Sequence, residues 1–144
     1  EADLAEDASL SVFESVVFGR EAHRERITDG LFADSWRIRR GGRLVHAEAM
    51  KLSGPIGSLL DRPSVAGGGR ALGTFLHVAP DAVSRLEEAR ACLSADEGCE
   101  SAAGAWNGLL AVRFCARNAQ AMRRAVLRFL LAFRQAPLPR VWLS

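Results

Sequence analysis

A chain of 144 residues is long enough for one domain, burying roughly 70% of the surface that its unfolded form exposes. With 49% apolar and 25% charged residues it has a globular make-up, and a net charge of +2 is too small to imply a polyanionic partner. Three cysteines are an odd number and too sparse for a disulfide framework, no apolar run reaches the ~18 residues of a membrane span, and no signal peptide is recognisable, so the chain reads as cytoplasmic.

Residues 8–18 alternate, with Leu10, Val12, Glu14, Val16 and Phe18 on one face and Ser9, Ser11, Phe13, Ser15 and Val17 on the other. A period of two rich in β-branched and aromatic residues predicts a strand. A charged segment over 20–30 reads as a loop. Residues 34–40 and 43–51 then flank Gly41-Gly42, a pair tolerant of the positive φ that a tight hairpin needs. Pairing outward from that turn sets Ile38 against Val45 and Trp36 against Ala47 on one face, and collects Arg37, Arg39, His46 and Glu48 on the other. Gly54-Pro55, Arg62-Pro63 and Gly67-Gly68-Gly69 mark residues 53–70 as loop.

Residues 71–79 are apolar on both faces and predict a buried strand. Pro80-Asp81 opens a helix whose apolar stripe is Val83, Leu86, Ala89 and Leu93. Asn107-Gly108 is the strongest turn signal in the chain and joins strands over 101–106 and 109–115. Apolar on both faces, that hairpin is expected at the centre of a sheet. Asn118 caps a helix to about residue 135, with Met122, Val126, Phe129, Leu130 and Phe133 inward and Leu127 and Leu131 widening the stripe. Pro137 and Pro139 stop it. The fold class is therefore mainly β with two helices (α+β), antiparallel, with both helices in the C-terminal half.

The candidate chemistry is thin. Glu14 sits on an otherwise apolar strand face, and burying an ionised carboxylate costs several kcal/mol unless it is paired or hydrogen-bonded. It is expected either to pair with an arginine such as Arg20 or to line an internal polar passage. His23, His46 and His77 fall in separate elements, and Cys92 and Cys99 match no familiar ligand spacing, so no tight metal site is expected. Gly67-Gly68-Gly69 is not followed by Gly-Lys-Ser/Thr, and no Gly-x-Ser-x-Gly is present. Catalysis is not expected.

The run Phe13-Glu14-Ser15-Val16-Val17-Phe18-Gly19-Arg20-Glu21-Ala22-His23-Arg24-Glu25 and the ending Leu138-Pro139-Arg140-Val141-Trp142 carry a further signal. An extended segment with a carboxylate, then Gly-Arg-x-Ala-x-x-Glu, resembles the signature of the urease accessory proteins called UreD or UreH, whose chains also close on Pro-Arg-aliphatic-Trp. The match departs at Arg24, where the family usually has glycine. The resemblance implies that residues 1–144 are a single domain, the C-terminal part of a larger UreD-like protein with a strand-rich, superhelical body. It also implies a non-catalytic scaffold that helps deliver nickel into apo-urease together with UreF-like and UreG-like partners, with no tightly bound cofactor and only transient nickel. Glu14, Arg20, Glu25, Arg140 and Trp142 are then the candidates for partner contact or metal transit. Carboxylates suit a path better than a store, because hard oxygen ligands release a transition metal readily.

The alternative from another class is a small basic β-rich nucleic-acid-binding module, suggested by Arg113, Arg117, Arg123, Arg124, Arg128 and Arg134 on the last hairpin and helix. A predominantly apolar helix and a balanced total charge weigh against it.

Overall fold

The computed structural model describes residues 1–19, 27–134 and 137–138. In chain order these form β1 (Ala2–Leu4), β2 (Leu10–Val17), β3 (Gly30–Arg40), β4 (Arg43–Gly54), α1 (Ile56–Asp61), β5 (Ala71–Val78), α2 (Leu86–Cys92), β6 (Cys99–Trp106), β7 (Leu109–Ala116) and α3 (Ala119–Arg134). Two sheets result, one ordered β1-β3-β4 and the other β2-β5-β7-β6. All pairings are antiparallel except that of β1 with β3. The mainly β, α+β class expected from the pattern is the one observed.

Alternation along the strands of the four-stranded sheet sorts its residues between two apolar layers. Phe75, Val112 and Phe114 face α3 and meet Met122, Val126, Phe129 and Phe133. Their rings make edge contacts, with centroids 5.2 Å apart for Phe75–Phe129 and 5.8 Å for Phe114–Phe129. Leu76, Val78, Leu109 and Ala111 face the other way and bury Ile38 of the three-stranded sheet, with Val12, Trp36 and Val45 packed around them. The four-stranded sheet is thus the middle layer, with α3 on one side and the smaller sheet on the other. Its central strands β5 and β7 are buried on both faces apart from Arg113, as their apolar runs predicted, whereas β6, expected at the centre together with β7, lies at an edge.

Both tight turns form as read. Gly41 and Gly42 have φ of 53° and 75°, and Asn107 and Gly108 have 49° and 73°, so each hairpin turns through two left-handed residues and keeps the twist of its strands. The amide of Ala121 donates to Asn118 Oδ1 at 2.9 Å, which makes Asn118 the N-cap of α3.

Five further expectations are corrected. A third helix, α1, lies inside the stretch read as loop: Ile56 and Leu60 stand one turn apart and plug the open end between the sheets against Phe18. The second helix begins at Leu86 rather than at Pro80-Asp81, and Val83, expected in its stripe, is exposed. Leu131, expected to widen the stripe of α3, is 59% exposed. Residues 2–4 form a strand, where no element was expected before residue 8.

The fifth correction concerns register. The pairing of β3 with β4 shifts between Ile38 and Arg39, so that Arg39 opposes Leu44 and Ile38 opposes His46, leaving Val45 as the extra residue of a bulge. Trp36 then opposes Glu48 instead of Ala47. A one-residue slip exchanges the faces of everything beyond it. His46 and Glu48, expected on the outer face with the arginines, therefore point toward the four-stranded sheet.

Candidate functional site

Between the two sheets the packing is apolar at both ends and polar in the middle. On the four-stranded sheet one rung across the strands reads Val12, Leu76, Ala111, and the second rung beyond it reads Val16, Leu72, Cys115. The same-facing rung between them reads Glu14, Thr74, Arg113. Facing it, the bulged β4 presents Glu48 opposite Trp36, and the adjacent inward pair is Asp34 with Met50. The polar band is built by ordinary strand alternation plus one bulge.

Two bridges cross from sheet to sheet. The indole Nε1 of Trp36 donates to Glu14 Oε2 at 2.8 Å. Arg113 grips Glu48 through both terminal nitrogens, Nη1 to Oε1 at 2.5 Å and Nη2 to Oε2 at 2.6 Å, and Nη1 also donates to Thr74 Oγ1 at 3.1 Å. Such forked, charge-assisted contacts are the strong kind. The Arg113 hydrogen bonds hold the Glu48 carboxyl below the usual carboxylate range, outweighing its partial burial.

Glu14 is consequently not the buried carboxylate expected on an apolar face. Its side chain is exposed, on the edge strand β2, and among the described residues its partner is Trp36; the expected pairing with Arg20 lies outside them. Of the other candidate residues, Arg20, Glu25, Arg140 and Trp142 lie outside the described residues, as does His23. The structure thus places one of the five.

The residues that sequence reasoning passed over are the more informative ones. A cleft of about 390 Å³ opens beside the Arg113–Glu48 clasp, lined from one sheet by Asp34, Trp36, Glu48 and Met50 and from the other by Thr74, Glu100, Ser101, Arg113 and Cys115. Three carboxylates, from Asp34, Glu48 and Glu100, thus meet it. A second cleft, of about 410 Å³, lies between the bulge and the Asn107-Gly108 turn, with His46, Trp106 and Asn107 in its wall. Glu48 and Arg113 belong to both linings.

His46 is 5% exposed, and its ring lies against that of Trp106 with centroids 6.2 Å apart. Its Nε2 stands 3.4 Å from Glu48 Oε2, close enough for attraction, but no hydrogen bond forms. Burial, with the positive charge of Arg113, lowers its pKa against the opposing pull of Glu48, so the imidazole is neutral at pH 7. The three cysteine thiols are all pushed up by burial, Cys99 to about 11, which keeps them protonated and poor as metal ligands.

Among the described residues no three His, Cys, Asp or Glu side chains converge on one point that could hold a metal. Nor is any helix of the described residues long and apolar enough to cross a membrane. Several of the basic residues that suggested a nucleic-acid surface are occupied instead: Arg113 by Glu48, and Arg124 and Arg128 by the buried carboxylate of Asp96, at 3.6 and 3.1 Å. What the site presents is a set of carboxylate oxygens between two sheets.

Comparison with known proteins gives this geometry its context. The family model of the UreD urease accessory protein matches residues 1–143. A urease accessory protein UreD of Xanthobacter autotrophicus is 55% identical over 142 residues, covering 99% of this chain and 49% of that protein. The urease accessory protein UreD 1 of Methylobacterium radiotolerans is 56% identical over 146 residues, covering 100% of this chain and 51% of the relative. UreD of Azorhizobium caulinodans is 51% identical over 140 residues, covering 97% of this chain and 51% of its own length. The chain spans about half the length of these curated relatives.

Proposed function

Since the chain belongs to the UreD urease accessory protein family, we propose that it serves urease maturation as a non-catalytic scaffold whose inter-sheet cleft passes nickel toward apo-urease. The observation that carries this reading is the cleft of about 390 Å³ into which opposing sheets place the carboxylates of Asp34, Glu48 and Glu100. Glu14 joins the same band through Trp36.

The arrangement has the properties that transit requires. A store needs several ligands converging on one point, whereas a path needs single hard ligands at intervals, each releasing the ion to the next. Lone carboxylates on two facing sheets supply such intervals, and the protonated thiols withhold the sulfur ligands that would trap the ion. UreF-like and UreG-like proteins and apo-urease are the partners that this role requires.

The test is urease activation in vitro, using the full-length parent protein with its partners and measuring the nickel content and activity of the product. Glu48→Gln and Asp34→Asn each keep size and hydrogen-bonding capacity while removing the charge. Both are expected to lower the nickel loaded per folded molecule; Asp34→Asn should leave the yield of folded protein unchanged, whereas Glu48→Gln, which takes the charge from the Arg113 clasp, is scored on folded protein alone. Full loading by the two variants, alone and combined, would remove the cleft from the path.

A further inference from the structure

We propose that Arg113 is a latch between the two clefts, released when a divalent transition metal takes Glu48 together with Nε2 of His46. This inference rests on the reading of the cleft as a cation path and adds to it what sets the choice of ion.

Three observations converge. Arg113 and Glu48 are the only residues, among those described, common to the linings of both clefts, so their clasp is the partition. The clasp is complete from the arginine's side, with two nitrogens on the carboxylate and a third anchor on Thr74, but half of the Arg113 side chain's surroundings is water, its exposure being 45%. An arginine so placed can leave its carboxylate without being buried unpaired. Beside it, His46 Nε2 is buried, has no hydrogen-bond partner and lies 3.4 Å from the same carboxylate. A buried polar atom without a partner costs free energy in the resting state. Nothing else in the wall satisfies it, and an ion bound to Glu48 would.

Competition then selects the ion. While Arg113 holds Glu48, a cation must displace two charge-assisted hydrogen bonds before it can bind. Magnesium and calcium prefer oxygen ligands and gain little from an imidazole, so they do not recover that loss. Nickel and its transition-metal neighbours bind imidazole nitrogen well, and His46 Nε2 stands within 3.4 Å of the carboxylate. The latch therefore excludes abundant divalent ions and yields to scarce ones. Once the ion moves on, the guanidinium returns to Glu48.

The test measures binding of Ni²⁺ and of Mg²⁺, each as the chloride, to the full-length parent protein by equilibrium dialysis. Variants are Arg113→Met, Arg113→Lys, His46→Gln and Glu48→Gln. Removing the clasp by Arg113→Met is expected to tighten Ni²⁺ binding about tenfold, the scale set by a charged hydrogen-bonded pair, and to let Mg²⁺ bind. The gain should vanish when Glu48→Gln is added. His46→Gln should weaken Ni²⁺ while leaving Mg²⁺ unchanged, and Ni²⁺ should shift the imidazole NMR signals of His46 in the wild type. Arg113→Lys, which keeps the charge but loses the fork, should fall between wild type and Arg113→Met, and it stands in if the methionine variant does not fold. Affinities within twofold of wild type for both arginine variants would discard the latch while leaving the cleft as a path. Failure of the path itself has a different signature, namely full urease activation by the Glu48 and Asp34 variants.

Discussion

Phe129→Ala and Leu131→Ala, two residues apart on one helix, separate what the structure asserts from what helical periodicity alone suggests. Periodicity placed both side chains on the inward stripe. In the structure Phe129 is 1% exposed, stacks on Phe133 at 5.2 Å and meets the edges of Phe75 and Phe114 from the central strands. Leu131 is 59% exposed. Removing the Phe129 ring takes away its transfer free energy and leaves a void walled by three other rings, which are held in place by β5, β7 and α3 and cannot collapse into it. The loss should be about 3–5 kcal/mol. Against the 5–15 kcal/mol typical of a whole domain, that is enough to move the denaturation midpoint far or to prevent folding. Truncating Leu131 should cost less than about 0.5 kcal/mol, since little of it leaves water on folding. Urea unfolding followed by tryptophan fluorescence measures both, with the slope checked for constancy. Equal losses for the two variants, or a Phe129→Ala loss under about 1.5 kcal/mol, would mean that α3 does not pack on the middle sheet through this face.

Two further outcomes follow from the packing. His77 is 8% exposed, shares a hydrogen bond of 2.8 Å with Ser11 through Nδ1 and faces the edge of Phe133. Burial, and then the charge of Arg85, lower its pKa below the ordinary 6.5 in spite of Asp81 and Glu88. The folded state thus binds its proton later than the unfolded chain on acidification, so its contribution to stability is intact above pH 6.5 and is lost progressively below it. His77→Gln should flatten the fall in stability between about pH 7 and pH 5, though not abolish it, because His46 is displaced in the same direction; an equal loss of unfolding free energy between the two pH values in wild type and His77→Gln, measured by urea titration, would contradict this. Gly69→Ala would set a Cβ 2.7 Å from Cys115 Sγ and 3.0 Å from the Ala66 carbonyl oxygen, and should cost about 1–3 kcal/mol in thermal melts. Adding Cys115→Ala, which removes the nearest atom, should restore part of that; no recovery would locate the strain in the backbone instead.

What could be read from the residues was what local chemistry decides. Asn107-Gly108, Gly41-Gly42 and the Asn118 cap each have a short-range mechanism, and each formed. The apolar runs of β5 and β7 signalled burial on both faces, Arg113 apart, but the central place expected for the whole Asn107-Gly108 hairpin holds for β7 and not for β6. The short α1 was hidden because Gly54-Pro55 and the glycines near residue 68 speak for loop, while its only helical signal is one pair, Ile56 and Leu60, four residues apart. Neither β1 nor the exposure of Leu131 has a local cause. Both depend on what lies alongside, namely β3 for the first and open solvent for the second.

The site itself turned on a single residue. Counting outward from Gly41-Gly42 with no irregularity keeps Ile38 and Trp36 opposite apolar partners and sends His46 and Glu48 outside, which is the tidier solution in two dimensions. The bulge at Val45 overturns it. Val45 still packs into the apolar layer with Ile38, but the slip after it turns His46 and Glu48 inward, where Arg113 waits on the other sheet. A carboxylate on an apolar hairpin face is costly unless a cation meets it, and Arg113 is the cation that the facing sheet offers Glu48. Neither residue is explicable within its own hairpin; together they justify the bulge. The arginine in an otherwise apolar β7 was the available clue, because a charge that strand alternation points at a facing sheet demands an opposite charge there. Glu48 could answer that demand only if the register slipped by one, so the functional band and the irregular pairing are one feature of the fold.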